Sequence, residues 1–311
     1  MISCTEFIPA YSELFTFLDE KHGREEVDRF WKYLFEPDGK GIPLINFVRE
    51  RGIRGCWDYW AGTLNEEAAD FTMYLNEKAG WYMNVMHRCP SKGRLLELEK
   101  RIGIKPYHDY CLHCDSYRAA AEKVGLKYIY NFSGVDHAAC SMLIYDPKVF
   151  DGRIIIDENT EIMDRRASQN AYFHRDFHSS LNMGLDYLGE KYGEAELIEY
   201  LRAYTAHVYG KLPEAIKRGG LGELKAHIEK TYVQEHAPDA VKTLLAGNAL
   251  RVEIDYCPGV RHLRETGRRV SRWYAHSTSA VMQAIADASG LRFEMGDYDP
   301  QTGRTSYAFF A

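Results

Sequence analysis

The sequence predicts an α+β protein built as two tandem repeats, each an N-terminal helical part followed by a β-α-β-β unit. Three observations predict it. The two halves of the 311-residue chain align with each other. In each half the apolar spacing changes from helical to alternating. Gly125 and Gly290 fall at matching places just after a helical pattern, where a left-handed cap is expected.

The alignment comes first because a repeat changes every later reading. "LDEKHGREEVDRFWKYLF" from Leu18 runs without gaps against "LGEKYGEAELIEYLRAYT" from Leu188, 170 residues on. Cys89-Pro90 meets Cys257-Pro258 at an offset of 168, and Gly125 meets Gly290 at 165. An offset that drifts slowly in one direction points to gene duplication.

The helical part is expected over about Tyr11 to Leu34 and Pro43 to Leu75, and again over Phe173 to Val208 and Leu212 to His236. Leu185, Leu188, Tyr192, Leu197, Leu201 and Tyr204 recur there at helical spacing. A strand follows, "GWYMNVMHRC" or "ALRVEIDYC", with apolar and polar residues alternating. A helix then ends at "EKVG" or "DASG", and two strands close the unit. Domains are expected at residues 1–150, the cysteine-rich repeat, and 151–311, the repeat with the segment "HRDFH". The polar linker from Asp146 to Asn170 holds one β-like patch, Ile154 to Ile156.

Hydrophobic residues make up 45% of the chain and charged ones 27%, the balance of a globular protein. The net charge of −6, without a block of like charge, argues against nucleic acid as a partner. "MISCTEFIPAYSELFTF" has no basic leader region and no unbroken apolar run, so neither a signal peptide nor a membrane span is expected. The seven cysteines are an odd set in a long chain, which fits a reducing cytoplasm better than a disulfide scaffold. No G-x-G-x-x-G and no P-loop is present, so no nucleotide cofactor is expected. The expected partner is a small molecule. The oligomeric state is left open, a homo-oligomer included.

Chemistry concentrates where the halves differ. "YHDYCLHCDSYRAAAEKVG" places His108, Asp109, Cys111, His113 and Cys114 at the expected start of a helix. A thiol there should be acidified by the helix dipole and a neighbouring histidine. Cys111 and Cys114, with His113, His108 and Asp109, are therefore the candidate catalytic group. Cys111 aligns with His276, Cys114 with Ser279 and Cys140 with Thr305, so the second half lacks these thiols. The second half has its own pair, His174 and His178, spaced to share one helix face about 5–6 Å apart at Cβ. That pair is a candidate for Zn²⁺ or Fe²⁺, and Cys89 and Cys140, each expected at a strand end near the helix of Cys111 and Cys114, are candidates for the two further ligands of a zinc site there. The site is expected at the interface of the repeats. Asp115 and Asp136 are further acid/base candidates. Trp57, Tyr59 and Trp60 read as helical core or as a pocket wall. Arg54, Arg118, Arg251 and Arg261 are candidates for a bidentate grip on a carboxylate.

Strand-Cys89, then "YCLHCDSYRAAAEKVG", then "NFSGVDHAACSMLIY", resembles the L-2-amino-thiazoline-4-carboxylic acid hydrolase family. More distantly it resembles the cysteine-bearing domain of 4-vinyl reductases. The resemblance covers most of residues 1–150 and, more weakly, 170–311. It implies one cysteine at a strand end, one near the following helix and one before the last strand: Cys89, Cys111 or Cys114, and Cys140. It also implies hydrolysis of a cyclic C=N or amide-type bond. Gly134 and Asp136 are separated in "GVDHAAC", where the family usually has an adjacent Gly-Asp pair. A non-catalytic small-molecule or metal-binding module, as a sensor or carrier, is the alternative reading. A metal- or thiol-dependent redox enzyme is the third.

Overall fold

The computed structural model describes residues 1–35 and 41–311. The chain is α+β. It divides into two compact units, one of residues 18–174 and one of residues 1–17 with 175–311. The expected boundary at 150 thus falls at 174, and the first seventeen residues group with the later unit. The dividing point lies inside helix α1 (Phe7–His22).

The 18–174 unit continues with helices α2 (Arg24–Tyr33), α3 (Gly41–Arg51) and α4 (Arg54–Glu66). The hairpin β1 (Asp70–Asn76) and β2 (Trp81–Arg88) follows, then α5 (Pro90–Ile102), a 3₁₀ turn at Tyr110–Ser116 and α6 (Tyr117–Lys123). Strands β3 (Lys127–Asn131), β4 (Cys140–Tyr145) and β5 (Glu161–Arg165) complete an antiparallel sheet in the order β3-β4-β2-β1-β5. β1 lies in the segment expected to be the end of a helix. Phe71, Met73 and Leu75 are each 0–1% exposed on one face of this strand, a period of two that a helix cannot satisfy. Ile154, Ile155 and Ile156 are exposed and form no strand. Trp60 of α4 stacks on Tyr82 of β2 at 5.7 Å and meets Tyr117 edge-on, so this aromatic group is core packing.

The other unit has helices α7 (Phe177–Tyr192), α8 (Glu194–Val208), α9 (Lys211–Gly219) and α10 (Leu221–Gln234). Then come β6 (Val241–Ala246), β7 (Ala249–Ile254), α11 (Pro258–Glu265), α12 (His276–Ser289), β8 (Arg292–Met295) and β9 (Thr305–Phe310). Its antiparallel sheet runs β6-β7-β9-β8. Read from the other side, β8-β9-β7-β6 matches β3-β4-β2-β1. The registers correspond too: Met86 pairs with Cys140, and Ile254, 168 residues after Met86, pairs with Thr305. Cys89 and Cys257 each occupy the N-cap position of the helix after the second strand, with Pro next, and of the two only the Cys89 side chain accepts a capping hydrogen bond. Gly23 and Gly193 join the first two helices at φ +82° and +87°, a backbone that side-chain-bearing residues avoid. No helix among the described residues is long and apolar enough to cross a membrane.

Candidate thiol cleft

Four thiols of the 18–174 unit, those of Cys89, Cys111, Cys114 and Cys140, line one small cleft with a cavity volume of about 40 Å³. Lys92, Tyr110, His113 and Tyr130 share its wall. The sheet and its connections place them. Cys89 directly follows β2, and its amide donates to the Ala138 carbonyl at 2.6 Å. Its sulfur accepts the Lys92 amide at 3.5 Å, as an N-cap does. Cys140 opens β4, and Tyr130 of β3 shares the cleft wall with it, its hydroxyl working against the rise of the Cys140 thiol. Tyr110, 1% exposed, anchors the 3₁₀ turn that carries Cys111 and Cys114. Tyr128 of β3 donates to the Cys114 carbonyl at 3.1 Å.

The turn corrects the expectation of an acidified thiol. α6 begins only at Tyr117 and has seven residues, so Cys111 and Cys114 precede the helix. Burial dominates instead and pushes the Cys111 thiol up to about 11, with the Lys92 ammonium working against it. Burial likewise raises Cys89 and Cys140. His113 fits the expected role better. Its Nδ1 is held by the Tyr110 carbonyl, and its Nε2 lies 3.6 Å from the Cys114 sulfur. His108 and Asp109 are outside the cleft lining. Asp109 accepts from Arg24 Nε at 3.2 Å and lies 3.6 Å from His108 Nε2.

Of the expected metal ligands, Cys89, Cys140 and His174 belong to the 18–174 unit and His178 to the other. α7 starts at Phe177, so His174 is not helical and does not share a helix face with His178. His174 Nδ1 pairs with Glu66 at 2.6 Å, whereas His178 is fully buried with its Nε2 3.0 Å from Glu235. Cys89 and Cys140 belong to the cleft, whose lining includes neither histidine. Arg54 is tied to Glu77 and Glu161, and Arg118 to Asp115, so neither is held ready for a ligand.

No protein-family model, curated protein or solved structure matches the chain. The cleft therefore rests on its own geometry.

Lys92 is the residue that sequence reasoning missed. Only 7% exposed, it has no carboxylate partner among the described residues, and its charge acts on Cys111. A lysine three positions after a helix-capping cysteine carries no motif that would have marked it. Tyr130 was missed for the same reason, because β-strand alternation accounts for it fully. At the matching place in the other unit, Cys257 is 5% exposed with its sulfur 3.2 Å from the Met1 sulfur. Gly303 lies so close that an added Cβ would sit 2.3 Å from the Cys257 Cβ.

Proposed function

We propose that the chain is a small-molecule hydrolase acting on a cyclic C=N or amide-type bond, with the thiol cleft of the 18–174 unit as its site. The observation that supports this most is the meeting of four thiols in one small cleft with a buried ammonium that has no carboxylate partner among the described residues. The family resemblance of the cysteine pattern points the same way. The free state of all seven cysteines fits a reducing, cytoplasmic setting.

Because burial keeps Cys111 a neutral thiol, its proton needs an acceptor, and the nitrogen of a C=N bond is one. As the sulfur–carbon bond forms, the thiol proton moves to that nitrogen. Water then replaces sulfur at the carbon and returns a proton to the thiol. The ring carbon–nitrogen bond breaks as the remaining hydroxyl proton passes to the departing nitrogen, leaving a carbonyl and an amine. Lys92 favours the displacement by water, in which sulfur departs with negative charge before the proton returns to it. The raised thiols favour one second reading, a binding module that holds its ligand without chemistry.

We also read the two units as products of one duplication, on their shared strand order, registers and N-cap cysteines. In that reading the cleft was kept in one unit and filled in the other.

The test is ring opening of cyclic amidines and lactams by the wild type and by Cys111→Ala. Ring opening should fall to the uncatalysed rate in the variant while the melting temperature is almost unchanged. Turnover retained in Cys111→Ala removes the nucleophile and with it the mechanism. Binding without turnover in the wild type selects the second reading.

A further inference from the structure

Among the described residues, one group of metal-capable side chains closes within 4.8 Å, and it lies outside the cleft: Cys4, His178 and Glu235 of the 1–17/175–311 unit. We propose that these three residues form a binding site for a divalent cation of borderline softness, of which Zn²⁺ is the natural member.

The donor set is the first argument. A thiolate, an imidazole nitrogen and a carboxylate oxygen are the ligands Zn²⁺ takes. The spacing is the second. Tetrahedral zinc with bonds of about 2.0–2.2 Å to nitrogen and oxygen holds those two atoms about 3.4 Å apart. His178 Nε2 and Glu235 Oε2 are 3.0 Å apart, so a modest outward shift admits the ion. The third argument is charge. The three residues are 0–4% exposed, and buried charge is tolerated when paired or bound to metal. One thiolate and one carboxylate neutralise a divalent cation, so the loaded cluster carries no net charge into the core.

The supporting contacts are already in place. The Tyr274 hydroxyl lies 3.0 Å from His178 Nδ1, the second contact that fixes the tautomer of a metal-bound histidine. The Cys4 amide donates to Glu235 Oε1 at 2.5 Å, leaving Oε2 toward His178. Gly259 makes room for this arrangement, since a Cβ there would fall 2.1 Å from the Tyr274 oxygen and 2.7 Å from His178 Nδ1. Bound metal would fasten the segment holding Cys4 to α7 and to the end of α10. The site is independent of the hydrolase reading, which concerns other residues.

The test uses the full chain, stripped with a chelator and titrated with Zn²⁺ alone and with Co²⁺ alone. One equivalent per chain should bind, Co²⁺ should show a thiolate charge-transfer band, and Zn²⁺ should raise the melting temperature. Cys4→Ser and His178→Gln should each lose the stoichiometric metal, and Cys111→Ser should keep it. Tyr274→Phe should bind about 10–100-fold more weakly, the range for removing an outer partner of a ligand. Should His178→Gln fail to fold, Cys4→Ser and the wild-type Co²⁺ spectrum decide. Absence of stoichiometric metal, or metal lost from Cys111→Ser and kept by Cys4→Ser, overturns the proposal.

Discussion

Cys111 shows how strongly a single side chain depends on its surroundings. An unburied thiol titrates near 8.5, and the sequence pattern alone suggests a lower value still. The folded environment reverses that, because the turn that carries Cys111 buries the sulfur and offers no helix N-terminus. The sign follows directly. With the thiol pushed up to about 11, the reactive thiolate is scarce at neutral pH and its fraction grows as pH rises toward 11. Iodoacetamide labelling of Cys111, followed by peptide mass spectrometry, should therefore keep accelerating up to about pH 11. A plateau near the free-thiol value would show that burial does not govern this group. In Lys92→Met the labelling rate at pH 8 should fall, because the ammonium that works against burial at the Cys111 thiol is gone. An unchanged rate would mean that Lys92 does not reach the sulfur.

Elements are where the sequence was most readable and also where it misled. The 3.6-residue spacing marks α7 and α8, and the break between them is held by Gly193 at φ +87° and ψ 176°. That conformation is open almost only to glycine, and no atom crowds the position. Gly193→Ala should therefore cost about 1–3 kcal/mol through backbone strain alone. Urea unfolding would measure it, and a variant as stable as the wild type would show that the junction relaxes. Elsewhere, β1 was absorbed into a helix because Phe71, Met73 and Leu75 are too few to establish an alternation beside helical sequence. The cleft segment misled in the opposite way. "YCLHCDS" looks like the opening of a helix and aligns with the start of α12, yet it forms a 3₁₀ turn ahead of a shorter α6.

The chain as a whole assigns its first seventeen residues to the later unit. Ile2, Cys4, Phe7, Ile8 and Tyr11 are each no more than 2% exposed, and Phe7 stacks on Phe177 at 4.8 Å. The Tyr200 hydroxyl donates to the Ala10 carbonyl at 2.8 Å. Deleting residues 1–17 should therefore expose apolar surface in the 175–311 part, with dye binding to that surface and loss of its cooperative melting. Cooperative melting retained after the deletion would show that this segment is peripheral.

By itself the sequence determined the α+β class and the correspondence of Cys89 with Cys257 and of Cys140 with Thr305, and it set Cys89 and Cys140 at strand ends near the segment of Cys111 and Cys114. These follow from periodicity, capping and strand register, which are written in neighbouring residues. Only the tertiary structure decided that His178 turns to Glu235 and Cys4, that His174 pairs with Glu66, and that the buried Lys92 shares the cleft wall with Cys111. Each of these depends on groups far apart in the chain being brought within a few ångströms and shielded from water. Burial sets the charge of a thiol and the partner of a histidine, and no local pattern records it.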